Sequence, residues 1–259
     1  MLKTKNEEGA SEAAKLYQEA LAWIDRIIAE NRFQARGTYG FFPANADGDD
    51  LIVWSDDART AERCRLHTLR QQVKKSRDRA NFCLADFIDP EGDWIGGFAV
   101  GIHGIEPHLE RFRSAHDDYN DILLKALADR FAEAFAERLH QHVRTTLWGY
   151  APGEQLTNEA LIREEYRGIR PAPGYPACPD HSLKPILFDL LKAQDNAGIT
   201  LTESQAMLPT AAVSGFYFAH PESQYFGVAR IGRDQLEDYA GRRGVDVETA
   251  ERWLRPNLD

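Results

Sequence analysis

The longest amphipathic pattern in the chain runs through residues 115–144, where apolar residues recur every three or four positions. This spacing places them on one side of an α-helix. The predicted apolar face consists of Leu123, Leu127, Phe131, Ala134 and Phe135. The same spacing predicts a helix over residues 11–31, so the chain has two long helices to pack against other elements.

Shorter helical patterns occur elsewhere. They predict helices over residues 58–76, 157–166 and 182–194. In the first, Leu66, Leu69 and Val73 are expected to face the core. Its basic residues are expected to face water, and they are Arg63, Arg70, Lys74 and Arg77. Thr157 is placed as the N-cap of the second helix.

Apolar runs between turn residues predict strands. Residues 37–54 predict a hairpin that turns at Asp47-Gly48, and the segments "NFCLADFID" and "DWIGGFAVGIHG" predict two further strands. Two β-rich runs, residues 199–221 and 223–232, meet at a His-Pro-Glu-Ser turn. Because hairpin-like pairs predominate among irregularly placed helices, the sequence predicts an α+β fold with an antiparallel sheet.

Composition indicates a cytoplasmic globular protein. Apolar residues make up 43% of the chain, which is enough for a packed core. No apolar run approaches the ~20 residues that cross a bilayer, and residues 1–30 lack the pattern of a signal peptide. The three cysteines are widely spaced and odd in number, which favours reduced thiols over a disulfide framework.

The charge of the chain argues against nucleic acid as a partner. The net charge is −10, and a field of that sign repels a phosphate backbone. Residues 233–254 predict two helices that are joined at Gly244, with Asp246 as an N-cap. The second helix carries Glu248 and Glu251, which would face phosphates if this pair read DNA. Two packed helices are the better interpretation.

The segment "RPAPGYP" at residues 170–176 combines rigidity with useful chemistry. Its three prolines fix φ and remove backbone donors, so the loop presents acceptors that suit a cation. Gly174 allows the backbone to approach a ligand closely, and Arg170 offers a planar fork for a carboxylate. A rigid crossover, in which Arg170 makes a structural ion pair, accounts for the composition equally well.

Acidic residues near this loop are a second candidate feature. Glu133 lies on the long predicted helix in a stripe with Asp129 and Glu137, and such a stripe is usually a solvated face. If the stripe lined a pocket, Glu133 would accept from an ammonium group. Glu164 precedes Arg170 by six residues, so both are placed to reach one zwitterion from the same side.

Signals for a metal or for common catalytic motifs are weak. Cys178 and His181 form a single C-x-x-H pair, whereas a zinc site needs about four ligands. The sequence contains no G-x-S-x-G, H-E-x-x-H, P-loop or G-x-G-x-x-G motif. We therefore expect no metal site.

Several stretches together resemble the activation domain of cobalamin-dependent methionine synthase. They include "RGIRPAPGYPACPDH", "VSGFYFAHPES", "RDQLEDYA" and "CLADF", and the similarity runs in order from about Leu16 to the C-terminus. The resemblance implies a C-shaped, single-domain α+β fold with a bent antiparallel sheet. It also implies binding of S-adenosylmethionine (AdoMet), whose methyl group restores methylcobalamin from cob(II)alamin for methionine biosynthesis. The implied partners are the cobalamin-binding domain and flavodoxin or a related flavoprotein, which gives an electron.

The resemblance assigns three residues to the amino-acid end of AdoMet. Arg170 matches the arginine that holds the carboxylate, whereas Glu133 and Glu164 match acidic residues near the amino group. These assignments agree with the chemistry of the ligand, because a zwitterion needs an arginine and acids together.

Five further residues take roles from the same resemblance. Ala172 and Gly174 lie where the loop backbone meets the ligand. Tyr225 and Phe226 match the pair that lines the nucleoside side. Tyr175 matches the tyrosine that approaches the cobalt face of cobalamin, and it is the predicted catalytic residue. Because methyl transfer requires reacting atoms held ~3–3.5 Å apart, a stiff loop serves this function.

One departure from the family is expected to weaken AdoMet binding. In the family, an aromatic-rich segment that carries a ligand-contacting aspartate precedes the region where this chain begins. Residues 1–259 are therefore predicted to form an activation domain without that segment, which does not make methionine by itself.

Two alternatives come from other classes of function. A ligand-free docking module would use the basic helix at residues 63–79 to bind flavodoxin or a cobalamin domain. An independent AdoMet-dependent methyltransferase would act on a small acceptor, but the chain has no Rossmann fingerprint.

Overall fold

The computed structural model describes residues 7–76 and 79–258, in which helices pack on both faces of a five-stranded antiparallel sheet. The strands of the described chain are β1 (Gln34–Asp47), β2 (Asp50–Trp54), β3 (Glu62–His67), β4 (Asp93–His103), β5 (Thr200–Leu201), β6 (Met207–Leu208) and β7 (Ala212–Tyr217). The α-helices are α1 (Glu7–Ala29), α2 (Glu106–Ser114), α3 (Asp118–His142), α4 (Asn158–Ile162), α5 (Lys184–Leu191), α6 (Ala193–Ala197), α7 (Arg233–Arg243) and α8 (Val247–Leu254). None of these helices is long and apolar enough to cross a membrane.

The main sheet has the strand order β3-β2-β1-β4-β7, and every neighbouring pair is antiparallel. The strands β5 and β6 form a separate two-stranded ribbon. In the main sheet, Phe98 of β4 lies between Tyr39 of β1 and Gly215 of β7. The predicted α+β class, the antiparallel sheet and the hairpin turn at Asp47-Gly48 are confirmed.

The two faces of β4 lie in different parts of the core. On one face, Ile95 and Ala99 pack with Leu187 and Leu191 of α5. Gly97 lacks a side chain, and a Cβ there would lie 2.8 Å from Leu187 Cδ1, so the glycine allows α5 to approach the sheet. The opposite face packs against α3.

Helix α3 confirms the longest predicted helix, with its buried face rotated slightly. The buried apolar residues are Leu124, Leu127, Ala128, Ala132 and Ala136. Of the predicted face, Leu123, Phe131 and Phe135 are half-buried and Ala134 is exposed. Three of the five buried residues are alanines, which let the helix lie close to the sheet.

The predicted helix over residues 58–76 is wrong. Its first part is strand β3, which pairs with β2, and the residues after β3 have no regular secondary structure. Leu69 packs under α7 and α8 beside Val228 rather than on a helix of its own. Arg77, a residue of the predicted basic face, lies outside the described residues.

Two predicted strands are also absent from the described chain. The segment "NFCLADFID" contains a 3₁₀ turn at Leu84–Phe87 in place of a strand. The run at residues 223–232 has no strand, although Val228 N donates to Pro176 O at 2.8 Å. Both segments bury apolar residues, among them Leu84 and Val228, without pairing in the sheet.

The remaining helical predictions are confirmed with changed bounds. Thr157 caps α4 by accepting from Ala160 N. The helix predicted at residues 182–194 is broken at Lys192, whose φ of 46° is left-handed. At the C-terminus, Gly244 ends α7 and Asp246 caps α8 through Thr249 N, as predicted.

Candidate functional site

A cleft of about 770 Å³ lies between α3, the proline-rich loop and strand β7. Seven of the eight predicted site residues line it, and they are Glu133, Glu164, Arg170, Ala172, Tyr175, Tyr225 and Phe226. These residues come from three separated parts of the chain, so the fold brings the predicted site together.

The cleft follows the open edge of β7. Ile169 and Phe218 exchange two backbone hydrogen bonds of 3.0 Å, and Phe216 N donates to Pro171 O at 2.9 Å. Because Pro171 has no N–H, it returns no bond to β7. By strand alternation the Ser214 N–H points to the same side, and it has no partner within the described residues. The strand edge is therefore exposed to the cleft where the loop diverges.

The loop uses part of the acceptor capacity that its prolines predict. Its carbonyl groups at Pro171, Ala172 and Pro176 already accept backbone N–H groups. A carbonyl oxygen has two lone pairs, so each can take a second donor. For the carbonyl of Pro173, no backbone donor is found in the described part of the chain.

Arg170 is held in one orientation by three side chains. Its Nη2 donates to Glu137 Oε2 at 2.6 Å, and its Nη1 donates to Tyr166 Oη at 2.8 Å. Nη1 also lies 3.1 Å from His140 Nδ1. The Arg170 backbone N–H donates to Tyr225 Oη at 3.0 Å. Arg170 thus makes the ion pair that the sequence left open, and it does so inside the cleft.

The protonation states of this cluster follow from its surroundings. Burial alone would lower the pKa of Arg170, but Tyr225, Tyr166 and Glu137 raise that pKa above its usual value. Burial, assisted by Arg144 and Arg170, holds the pKa of His140 well below its usual range. Because arginine only donates, His140 Nδ1 must be the acceptor and its proton lies on Nε2.

A buried ion pair supports this cluster from behind. Arg144 is fully buried just after the end of α3 and donates to both Glu154 oxygens, at 2.6 and 2.7 Å. Its guanidinium lies 4.2 Å from the centre of the Tyr166 ring. The Tyr166 hydroxyl in turn accepts from Arg170. The position of Arg170 therefore depends on residues that do not line the cleft.

The two acids predicted for the ligand's amino group lie at the more exposed part of the cleft. Glu133 has 55% of its side chain exposed and pairs with Arg130 at 2.8 Å. Glu164 is exposed and has a left-handed φ of 57°. Neither carboxylate contacts Arg170 in the structure. Their roles remain predictions.

Gly174 shapes the loop rather than the cleft wall. Its φ is 94°, and a Cβ there would lie 1.9 Å from His181 Cε1. The glycine is therefore required by the backbone and by the His181 ring. The next residue, Tyr175, is 66% exposed at the cleft. Its backbone forms a bridge to Cys178, which closes the loop.

The structure adds residues that sequence reasoning missed. The sequence presents Glu137 only as part of a solvated stripe, and it indicates no role for His140, Arg144 and Tyr166. Glu133, Glu137, His140 and Arg144 recur at positions i, i+4, i+7 and i+11, so they lie along one side of a helix. This polar stripe is the feature of the sequence that could have identified these residues.

The Cys178 and His181 pair shows no sign of a metal centre. Within the described residues, no group of three or more histidine, cysteine or acidic side chains is arranged to hold a metal ion. Burial raises the pKa of the Cys178 thiol. The His181 ring instead packs against Gly174.

Comparison with known proteins gives a family and a solved relative. The model of the family "Vitamin B12 dependent methionine synthase, activation domain" matches residues 2–244. A solved structure described as "Crystal Structure of the MetH Reactivation Domain bound to AdoHcy" is 51% identical in sequence, with a TM-score of 0.92. The match covers 98% of this chain and 79% of that chain.

Proposed function

Because the chain belongs to the activation-domain family of vitamin B12-dependent methionine synthase, we propose that its cleft binds AdoMet and positions the methyl group for reductive methylation of cob(II)alamin. This step reactivates the enzyme for methionine synthesis. The parent enzyme is a cobalamin-dependent methyltransferase, and this chain is its reactivating module.

The observation that carries the proposal is the Arg170 fork inside the cleft. Arg170 is charged, is oriented by three side chains, and lies beside a loop that is rich in carbonyl groups. AdoMet carries a carboxylate, an ammonium and a sulfonium, so it needs a cationic fork, acids and carbonyl oxygens in one place. The similar MetH domain binds AdoHcy, which differs from AdoMet by the transferred methyl group.

The predicted residues take these roles in the proposal. Arg170 binds the carboxylate, and Glu133 and Glu164 lie near the ammonium group at the rim. The backbone at Ala172 and Gly174 meets the ligand, although the Gly174 side of the loop faces His181.

The other predicted residues serve the two remaining parts of the complex. Tyr225 and Phe226 line the nucleoside side, and the Tyr225 hydroxyl also fixes the Arg170 backbone. Tyr175, exposed at the cleft, faces the cobalamin. Bound cobalamin, held by another domain of the enzyme, supplies the cobalt that accepts the methyl group.

The proposal includes a reductase and limits what the chain does alone. Flavodoxin or a related flavoprotein supplies the electron for the step. We expect no methionine synthesis by this chain in isolation, because the substrates of that reaction are bound by other modules of the enzyme.

The structure weakens the support for the alternative function, a ligand-free docking module. That hypothesis rested on a basic helix at residues 63–79, which the described chain does not form. Two arginines of the segment are paired with acids: Arg65 lies 2.6 Å from Asp47, and Arg70 lies 2.7 Å from both Asp49 and Asp86. The segment therefore presents less free positive charge than its sequence indicates.

Isothermal titration calorimetry with AdoMet and AdoHcy tests the function. We expect saturable binding by the chain and much weaker binding by Arg170→Ala. Mixing with the cobalamin domain and reduced flavodoxin should then convert the cob(II)alamin absorption spectrum to that of methylcobalamin. No binding heat at millimolar ligand, or a spectral change that does not depend on AdoMet, would overturn the proposal.

A further inference from the structure

We propose that Glu137 determines specificity in this cleft: with Arg170 it forms a neutral pair that selects a zwitterionic amino-acid end. The inference rests on the proposed function, which places AdoMet in the cleft, and it names the carboxylate that completes recognition. Glu137 was not among the residues that the sequence assigned to the ligand.

The first support is the direct contact between the two residues. Glu137 Oε2 accepts from Arg170 Nη2 at 2.6 Å, and Glu137 and Arg170 both line the cleft. Only 32% of the Glu137 side chain and 21% of the Arg170 side chain are exposed. A charge-assisted bond at this depth is screened less by water than one at the surface.

The second support is the bonding capacity that the pair leaves unused. Glu137 Oε1 is buried and has no hydrogen-bond partner among the described residues. Arginine has five N–H donors. Within the described chain, partners are found for three of those in Arg170, which leaves Nε and one hydrogen on Nη2. A carboxylate and an ammonium on one ligand carbon would satisfy both sets, with a small rotation of the Glu137 carboxylate.

Glu137 is better placed for this role than Glu133, which lies one helical turn earlier. The Glu133 side chain is more exposed, at 55%, and its oxygens are engaged by Arg130 at the surface. Exposed ion pairs contribute little to binding because water screens them. The deeper carboxylate therefore discriminates more strongly between ligands.

The surroundings hold the pair in place for binding. His140 Nδ1 and Tyr166 Oη each receive a donor from Arg170 Nη1. These contacts restrict the guanidinium to the plane in which Nη2 faces Glu137. Preorganisation of this kind reduces the entropy that ligand binding would otherwise cost.

Charge balance gives the pair its selectivity. Arg170 and Glu137 together carry no net charge, so an isolated carboxylate gains from the cation but is repelled by the anion beside it. A zwitterion meets an opposite charge at each of its ends. Replacement of Glu137 by a neutral isostere should therefore weaken the binding of zwitterionic ligands. It should also reduce the discrimination of the cleft against simple anions.

Calorimetry with three ligands and matched variants of the full chain tests the inference. The ligands are AdoHcy, its deaminated analogue that keeps the carboxylate, and 5′-methylthioadenosine, which lacks the amino-acid end. For Glu137→Gln we expect about a tenfold or greater loss of affinity for AdoHcy, as for a lost charged hydrogen bond. Its affinity for 5′-methylthioadenosine should not change, and its preference for AdoHcy over the deaminated analogue should fall.

Two further variants separate selectivity from folding. Glu165→Gln is the surface control, because the Glu165 carboxylate is exposed, pairs with Arg163 and does not line the cleft. It should lose less than about threefold in AdoHcy affinity. Glu137→Asp keeps the charge and should recover part of the preference for AdoHcy. Equal losses for AdoHcy and 5′-methylthioadenosine in Glu137→Gln would overturn the inference, as would equal losses of AdoHcy affinity in Glu137→Gln and Glu165→Gln. Failure of the wild-type chain to bind AdoHcy would instead overturn the proposed function.

Discussion

At the scale of single residues, one arginine connects the candidate site to the interior of the molecule. Arg170 meets a carboxylate, an imidazole and a phenol, and each accepts a different hydrogen bond. Removal of the guanidinium therefore has two effects. It deletes the donor that we propose for a ligand carboxylate, and it leaves the acceptors of Glu137, His140 and Tyr166 without their donor.

This arrangement predicts a difference between Arg170→Ala and Tyr175→Phe. The first should lower AdoHcy affinity by about ten- to hundredfold, which corresponds to roughly 1.5–3 kcal/mol for a hydrogen bond to a charged group. The second should change affinity by less than about twofold, because Tyr175 is mostly exposed and its hydroxyl has no bond within the described residues. Calorimetry measures both, and equal losses would contradict the division of roles.

His140 predicts a pH dependence of stability. Its pKa in the folded protein lies well below the unfolded value of about 6.5, because it is buried beside Arg144 and Arg170. The unfolded chain therefore binds more protons at acidic pH. The stabilisation is fully present above about pH 6.5 and is lost as the pH falls below that value.

Unfolding in urea between pH 7.5 and 5 measures this effect. His140→Gln should reduce the slope of the unfolding free energy against pH, which for one histidine is at most about 1.4 kcal/mol per pH unit. His103→Gln is the matched control, since burial also lowers the pKa of His103 but the residue is only half-buried. If the slope of the unfolding free energy against pH is the same in His140→Gln as in the wild type, the pH dependence does not come from His140.

The site residues that the sequence predicted differ in kind from those that it missed. Arg170 and Tyr175 stand in a segment whose prolines mark it as unusual, and the family resemblance gives them roles. Glu137 and His140 lie in a regular helix, where their spacing resembles that of any solvated stripe. Their function depends on a contact with a residue about thirty positions later, which local pattern does not encode.

At the scale of elements, the C-terminal end of α3 supports the candidate site from behind. The helix passes into a π-helical turn at Val143–Leu147, and this turn carries the fully buried Arg144. The Arg144–Glu154 pair then joins α3 to the segment that follows it. Because Tyr166 packs on Arg144, a defect in this pair should reach Arg170 through Tyr166.

Glu154→Gln tests the contribution of the Arg144–Glu154 pair directly. It leaves a buried guanidinium without a counter-charge, and we expect it to lower the free energy of unfolding by about 3–5 kcal/mol. Guanidinium-induced unfolding measures the loss. The double variant Arg144→Met/Glu154→Leu removes both charges and should recover most of the stability, so no recovery would contradict this explanation.

The wrongly predicted helix at residues 58–76 has a clear physical cause. Leu66, Leu69 and Val73 fit a helical spacing, yet residues 62–67 pair with β2 as a strand. Leu69 then packs under the C-terminal helices. Helix propensity is a weak preference that strand pairing and burial readily override. The long helix α3 was predicted correctly because its pattern extends over seven turns, where a competing pairing is harder to satisfy.

At the scale of the whole molecule, the cleft joins parts that lie far apart in the chain. Its walls come from α3, the loop after Ile169, strand β7 and the segment at residues 225–226. Helix α3 packs on one face of the sheet and α5 packs on the other. A ligand in the cleft would therefore add contacts between elements that come from distant parts of the chain.

Ligand binding should consequently stabilise the folded chain as a unit. At a free AdoHcy concentration of about 100 times Kd, linkage predicts an increase of about 2.7 kcal/mol in the free energy of unfolding. Hydrogen exchange should locate the effect, with added protection at the open β7 edge around Ser214 and at the Arg170 amide. The α7–α8 pair, which lies in a separate cluster, should gain only the global increment. A stability increase of the same size in Arg170→Ala at equal ligand concentration would show that the ligand acts from a different site.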